Sequence, residues 1–312
     1  MTAVPSFAHR ASQDTGDPDA PLVSVAIIAF NQEDYIGSCL QSVIDQDYRP
    51  LEIIVADDCS TDRTRQVLTA FRDRHPDLIR LVLAEENRGI TGNSTVAHRA
   101  CHGKYIAWLG GDDLMCPGKL SAQVELMEAN PSVNICYHDL DVFDSDTGLS
   151  LRRFSGLNKP RQGDVRALIR YGTFNGGSSN MVRRTCAPDG FDSRIPVTSD
   201  WLYWIQTLTD GGQIAFIPKV LGRYRRHDDN VTDQDLEKSR RLLVENLMTC
   251  SIVFASSPRF ADDVLFAAAR VAVAIGRRMS GGRIIYYMVG AASLVLSVVM
   301  WLPCEVLRKG HE

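Results

Sequence analysis

The first third of the chain alternates short apolar runs, rich in β-branched residues, with longer segments of helical periodicity. The runs 22–30, 51–56, 78–84 and 105–109 are typical of strands that are buried on both faces. Between the runs, apolar side chains recur at helical spacing, for example over 35–44. This β-α-β-α-β-α-β order predicts an α/β fold, in which a mostly parallel sheet carries helices on both faces.

Polar side chains follow three of these predicted strands at their carboxyl ends. Asn31 and Glu33 follow the first, Asp57-Asp58 the second, and Asp112-Asp113 the fourth. Ligands of parallel α/β sheets bind beyond the carboxyl ends of the strands, where these side chains converge. Carboxylates there can accept the N–H and O–H groups of a base and a ribose, and a further carboxylate can hold a metal against phosphates.

The fourth strand ends abruptly in Gly110-Gly111-Asp112-Asp113. Two adjacent carboxylates are costly at a strand end unless a cation lies beside them. The glycines allow a ligand to approach the backbone closely. The motif alone fits either a metal and phosphate site or an ordinary turn with solvated carboxylates.

Composition excludes several other classes of protein. A net charge of −4 and a pI near 6.0 leave no electrostatic footprint for nucleic acid, so we expect no nucleic-acid partner. The 8 cysteines are dispersed without a C-x-x-C pair, which predicts neither a disulfide framework nor a zinc cluster.

Five segments, in order and at fitting intervals, carry a resemblance to a known family. They are 23–31 (VSVAIIAFN), 54–62 (IVADDCSTD), 87–89 (NRG), 103–107 (GKYIA) and 111–113 (GDD). Each is weak alone, but together the chain resembles an inverting family 2 glycosyltransferase of the GT-A fold. The resemblance implies a nucleotide-sugar donor, with a UDP-sugar expected, and Mg²⁺ or Mn²⁺ as cofactor.

The resemblance also implies roles for individual residues. Asp112 and Asp113 would bind the metal, Asp112 at the metal-binding position of the family's Asp-x-Asp motif. The motif's first acid falls at Gly110 here, which removes a contact that family members often make to the ribose or the metal. The implied donor-binding residues are Phe30, Asn31, Glu33, Asp57, Asp58, Asn87, Gly111, Asp112, Asp113, Arg225 and His227.

On the acceptor side, the segment 174–184 resembles the one that lines the family's acceptor site. It supplies Gly176, Gly177 and Ser178, and Trp201 is a further acceptor-side candidate. Asp200 matches the acid of the family's Glu-Asp motif, whose Glu is replaced by Ser199 here. Asp200 would therefore be the catalytic base that deprotonates the acceptor hydroxyl. Its alternative role is that of a helix N-cap.

The domain organisation expected from these patterns has five parts. They are a disordered tail over 1–20, a GT-A domain over 21–232 with halves 21–115 and 116–232, a helical extension over 233–282, a hydrophobic helix over 283–303, and a tail over 304–312. The hydrophobic helix holds a charge-free run just long enough to cross the apolar core of a bilayer, with arginines on its flank. It is expected to be a membrane anchor, and a buried or dimerising helix is the alternative.

The function expected is transfer of one sugar to a saccharide or polyprenyl-linked acceptor in the biosynthesis of a surface polysaccharide or glycan. The catalytic domain would be cytoplasmic, at the inner face of the cell membrane. Absence of the Gln-x-x-Arg-Trp signature of processive synthases favours single transfers. Two alternatives stay open: a catalytically degenerate protein that binds a glycan or a partner, and a sugar-phosphate nucleotidyltransferase. The latter should carry a glycine-rich loop where this chain has Ala29-Phe30-Asn31.

Overall fold

The fold begins with four parallel strands, joined by three helices. The structure is a computed structural model of the chain, and it describes residues 19–227 and 236–278. The elements of this half are β1 (Val23–Ala29), α1 (Ile36–Ile44), β2 (Leu51–Asp57), α2 (Thr64–Arg74), β3 (Ile79–Leu83), α3 (Gly89–Ala100) and β4 (Tyr105–Gly110). In the sheet the strand order is β3-β2-β1-β4, and each of the three pairings is parallel. The predicted alternation of strands and helices is confirmed.

The second half extends the same sheet with mixed pairing. Its elements are β5 (Leu114–Met115), α4 (Lys119–Ala129), β6 (Val133–Asp144), β7 (Ser150–Arg153), α5 (Val165–Tyr171), β8 (Met181–Arg183), α6 (Ser199–Thr209) and β9 (Gln213–Arg226). The full order is β3-β2-β1-β4-β8-β6-β9-β5, with β7 beside β6. β8 joins β4 and β6 by antiparallel pairs, while β6 and β9 pair in parallel.

Two apolar layers hold the sheet between helices. Alternate residues of β1 point to opposite faces, as a strand requires. Val23, Val25 and Ile27 belong to an apolar cluster with residues of α1, α2 and α4, while Ala26 belongs to a second cluster with residues of α3, α5 and α6. The mostly parallel sheet with helices on both faces is therefore confirmed.

Two further helices lie after the sheet. α7 (Leu236–Ser256) and α8 (Ala261–Arg278) pack against each other, and they contact α6 and α5 respectively. None of the helices in residues 19–227 and 236–278 is long and apolar enough to cross a membrane. The hydrophobic helix over 283–303, the tail over 304–312 and most of the tail over 1–20 lie outside the described residues, and these parts of the domain division stay predictions.

Candidate active site

The loops after β1 and β2 are hydrogen-bonded to each other at the carboxyl edge of the sheet. Asn31 adopts a left-handed backbone conformation, with φ of 49°. Its N–H donates to the Ser60 hydroxyl and its side-chain oxygen accepts the Thr61 N–H, both at 2.9 Å. Glu33 ties the same two loops by accepting the backbone N–H of Arg63 at 2.7 Å. Phe30 stays 46% exposed at the lip of this edge.

The adjacent acids Asp57 and Asp58 have different surroundings. Asp57 is fully buried, and its carboxylate accepts the guanidinium Nε–H of Arg65 at 2.6 Å. Asp58 lies at the strand end, where one of its carboxylate oxygens accepts the Arg88 N–H at 2.7 Å. The Asn87 amide donates to the Asp58 carbonyl at 3.2 Å. Asp57 therefore braces the loop, whereas Asp58 and Asn87 shape the edge predicted to hold the base.

Gly111 is required by close packing. A Cβ atom there would lie 2.3 Å from the Gln32 side-chain oxygen and 2.8 Å from Ile36 Cδ1. Its N–H donates to the Ile28 carbonyl at 3.0 Å, which continues the β1 pairing one residue past β4. A Cβ at Gly110 would lie 2.8 Å from an Asp112 carboxylate oxygen. An acidic side chain at position 110 would thus clash with the Asp112 carboxylate unless that carboxylate shifted.

Asp113 is the buried member of the carboxylate pair. The Ser178 hydroxyl donates to one of its oxygens, and the Arg225 N–H donates to the other at 2.9 Å. Burial, and then the charge of Asp112, raise the pKa of Asp113 well above its ordinary range. The buried Lys119 ammonium donates to the Ser178 carbonyl at 2.7 Å, and burial lowers the pKa of Lys119 to about 8. Asp113 therefore joins the strand end to β9 and to the turn at Ser178.

Asp112 lines the same cleft as Asp113 and contacts the end of β9. One of its carboxylate oxygens lies 3.0 Å from His227 Nε2, and its carbonyl accepts the Arg225 Nε–H at 2.7 Å. The Arg225 guanidinium also lies 4.8 Å from the centre of the Tyr35 ring, which holds the arginine in place. Of the residues predicted to bind the donor, the structure thus brings Asp112, Arg225 and His227 together.

The pair of Asp112 and His227 fits a divalent metal that a bound diphosphate completes. Carboxylate oxygen and imidazole nitrogen are ordinary metal ligands, and Mg²⁺ is commonly held by one or two carboxylates plus substrate phosphates. Among the described residues, no group of three or more His, Cys, Asp or Glu side chains could hold a metal by itself. Asp113, predicted as the second metal ligand, has both carboxylate oxygens in protein hydrogen bonds, which favours a supporting role.

A cleft of about 430 Å³ extends from Asp112 to Asp200. Its walls come from β4, the turn after Gly176, the start of α6, and α7. Among its lining residues are Asp112, Gly177, Ser178, Asp200, Trp204 and Asn246. Gly176 lies behind the lining, where a Cβ atom would come 2.7 Å from Leu140 Cδ1. The two carboxylates that the resemblance singled out most strongly therefore face one cavity.

Asp200 is the second residue of α6, and Thr198 occupies the N-cap position. Its carboxylate accepts the Trp201 N–H at 2.8 Å and is half-buried in the cleft wall. Burial raises the pKa of Asp200 to about 6, despite the Trp201 N–H and the nearby Trp204 indole, which favour the charged form. A carboxylate with this pKa is a competent general base near neutral pH.

The two tryptophans of α6 lie on different sides of the site. Trp201 is buried, and its indole N–H donates to the Leu168 carbonyl at 2.9 Å. Trp204 is buried too, but it lines the cleft beside Asp200. This geometry favours Trp204 over Trp201 as the tryptophan next to a substrate in this cleft.

Sequence reasoning missed Glu245, a buried residue of α7. One of its carboxylate oxygens accepts the backbone N–H of Val197 at 2.9 Å and that of Thr198 at 2.7 Å. These groups precede α6, where donors have no partner inside the helix. The other oxygen accepts the Arg241 Nε–H at 3.1 Å. Glu245 therefore fixes the start of the helix that presents Asp200.

Replacing Glu245 with alanine is expected to destabilise the fold by about 2 kcal/mol, because two backbone N–H groups lose their partner. The same change should reduce kcat more than it changes KM for the donor, since Asp200 loses its fixed position. Chemical denaturation and steady-state kinetics measure the two effects. Arg241→Ala is the control, because it removes only the exposed partner of Glu245 and should cost less than about 1 kcal/mol. Equal effects of both changes would contradict the role of Glu245.

Comparison with known proteins identifies the family to which the chain belongs. The family model for glycosyl transferase family 2 matches residues 24–187, about half of the chain. The chain therefore belongs to glycosyl transferase family 2. TuaG of Bacillus subtilis, which is named as a teichuronic acid biosynthesis glycosyltransferase, is 39% identical over 222 residues, covering 71% of this chain and 85% of TuaG.

An uncharacterized protein of Mycobacterium tuberculosis is 33% identical over 207 residues, which cover 66% of this chain and 59% of that protein. The chain thus spans about three fifths of the length of this mycobacterial relative. Among solved structures, the mannosyltransferase PcManGT of Pyrobaculum calidifontis, in complex with GDP-Man and Mn²⁺, has a TM-score of 0.61. It is 18% identical, and the likeness covers 96% of this chain and 82% of that one. The fold is therefore of the GT-A type.

Proposed function

We propose that this glycosyltransferase moves one sugar, with inversion, from a nucleotide-sugar donor to a saccharide or lipid-linked acceptor in the biosynthesis of a surface polysaccharide. The observation that carries the proposal is the single cleft that contains both Asp112 and Asp200. TuaG is named for teichuronic acid biosynthesis, which supports the class of pathway. PcManGT was solved with GDP-Man and Mn²⁺, which supports a nucleotide sugar and a divalent metal.

In the proposed reaction, a hydroxyl oxygen of the acceptor attacks the anomeric carbon of the donor sugar. The bond from that carbon to the diphosphate breaks, and the nucleoside diphosphate leaves on the opposite face. Asp200 accepts the hydroxyl proton as the new bond forms. Arg225 lies beside Asp112, where its guanidinium would meet the negative charge of the leaving diphosphate. A metal bound at Asp112 would supply further neutralisation of that charge.

A screen of UDP-, GDP- and dTDP-sugars by thermal melting tests the donor site. A ligand that binds only the folded state stabilises it by about 2.7 kcal/mol at a hundred times its Kd. We therefore expect one nucleotide class to raise Tm by several degrees with Mn²⁺ or Mg²⁺, and EDTA to diminish the shift. The matching nucleotide sugar should then be hydrolysed slowly without an acceptor. If no nucleotide sugar changes the Tm of the protein, the proposal is contradicted.

The location at the inner face of the cell membrane stays a proposal, which rests on the sequence of 283–303 alone. Co-sedimentation of the chain with liposomes is the measurement that bears on it.

A further inference from the structure

A second cavity, of about 760 Å³, lies between α5, α7 and α8. We call it the arginine cavity, because Arg170 and Arg270 line it together with Tyr171 and Phe266. Its volume is within the range of small-molecule sites. Its lining residues do not include Asp112, Arg225, His227 or Asp200.

The arginine cavity adjoins the catalytic cleft. Thr173 and Asn246 line both of them. Consecutive residues of α6 divide between the two, since Asp200 lines the cleft and Trp201 lines the cavity. The two cavities are therefore neighbours, and a molecule that occupied both would lie against Thr173 and Asn246.

The charged side chains in the described lining of the arginine cavity are Arg170 and Arg270, which are both positive. The described lining contains no acidic side chain. Arg170 is paired with the buried Asp263, which Arg166 also approaches at 3.8 Å, so that one acid is shared by two arginines. Arg270 is exposed, and among the described residues no carboxylate lies within 4.0 Å of its guanidinium.

The arginines surround an aromatic surface. The Arg161 guanidinium stacks 3.3 Å from the centre of the Tyr171 ring, and Arg270 lies 5.5 Å from the same centre. The Phe266 ring is 6.1 Å from Tyr171 and 44% exposed. Stacking orients guanidinium groups, which then lose less freedom when they bind a phosphate or a carboxylate. Aromatic faces and the amides of Asn158 and Asn246 suit sugar rings and hydroxyls.

We infer that the arginine cavity binds the acceptor of the proposed transfer, and that this acceptor is an anionic saccharide, bearing phosphate or carboxylate groups. The inference rests on the proposed function for its assignment to the acceptor. The same chemistry has two sources: the phosphates of a lipid-linked sugar and the carboxylates of a uronic-acid chain.

Binding measured by calorimetry tests the inference on the full chain. UDP and GDP are kept at saturating concentration with Mn²⁺, so that the anionic probes do not bind beside Asp112, Arg225 and His227. The probes are tetragalacturonate, farnesyl-diphosphate-linked N-acetylglucosamine, and neutral maltotetraose. We expect one or both anionic probes to bind more tightly than maltotetraose, and the preferred one identifies the source of the negative charge.

Arg270→Glu is expected to weaken the anionic probe by about tenfold or more and to leave maltotetraose unchanged, because a charge is reversed at the binding surface. Arg270→Lys should retain most of the affinity. Arg72→Glu is the matched control, since Arg72 is a partly exposed arginine of α2 that does not line the arginine cavity. Failure of both anionic probes to bind, or equal binding by Arg270→Glu, would overturn the inference.

The donor screen separates this inference from the proposed function. Donor binding and slow donor hydrolysis need only the cleft, and Arg270→Glu should leave both unchanged. If they persist while the anionic probes fail, the acceptor inference alone is wrong. If no nucleotide sugar binds, the transferase proposal fails, and with it the assignment of any anionic saccharide as an acceptor.

Discussion

Asp200→Asn is expected to reduce sugar transfer by about 10²- to 10⁴-fold, the usual contribution of a general base. Asparagine keeps the size of the side chain and its acceptor for the Trp201 N–H, but it cannot take a proton from the acceptor hydroxyl. The loss should appear in kcat, while donor binding, measured by the thermal shift, stays near that of the wild type. Turnover close to the wild-type rate would remove Asp200 from the catalytic role.

The pH profile of the wild-type enzyme supplies an independent readout. Burial raises the pKa of Asp200 to about 6 from an ordinary value of 3.8, and the base is active only when deprotonated. The rate should therefore fall about tenfold per pH unit below pH 6 and level off above it. An acid limb near pH 4 would mean that another group, or an unshifted Asp200, acts as the base.

The Asp200→Asn variant should lose activity without losing stability at alkaline pH. A carboxyl whose pKa is higher in the folded than in the unfolded state stabilises the fold most when it is protonated. That contribution is lost as pH rises from about 3.8 through about 6. Asparagine removes the cost of the buried charge, so Asp200→Asn should melt no lower than the wild type at pH 8. Asp210→Asn, at the exposed far end of α6, is the control for both activity and melting.

Local sequence predicted the nucleotide half well because its strands are mostly apolar and rich in β-branched residues. All seven residues of β1 are at least half-buried, and β-branched residues dominate the strand. The acceptor half lacked this signal. β8 has only three residues, and β9 contains Pro218 and Gly222 and pairs with β6 through several register shifts. Long-range pairing stabilises these strands, and a local pattern does not record it.

The same distinction explains which site residues the sequence identified. Asp112 and Asp200 stand in recognisable motifs, but a motif cannot tell which of two neighbouring acids faces the ligand. Burial decides this for Asp113, which is 2% exposed and bound to Ser178 and Arg225. Glu245 lies 47 residues from Thr198 along the chain and belongs to no motif. Its role follows only from the packing of α7 on α6.

Asp112→Asn is expected to abolish most transfer and the dependence of that transfer on a divalent metal. An amide oxygen is a neutral and weaker ligand than a carboxylate, and both carboxylate oxygens of the neighbouring Asp113 already accept hydrogen bonds from Ser178 and Arg225. Loss of charge stabilisation at a leaving diphosphate costs several kcal/mol, so we expect a decrease of at least about 10²-fold in kcat.

A Mn²⁺ titration of donor binding is the decisive measurement for Asp112, because it separates a metal ligand from a residue that only shapes the loop. In the wild type, Mn²⁺ should increase the thermal shift that the nucleotide sugar produces, and in Asp112→Asn this increase should disappear. Asp146→Asn, in an exposed turn, is the matched control. His227→Ala should weaken the Mn²⁺ dependence in the same direction, because its Nε2 lies 3.0 Å from the Asp112 carboxylate. A Mn²⁺ half-saturation unchanged by Asp112→Asn would place the metal, if the reaction uses one, elsewhere in the protein.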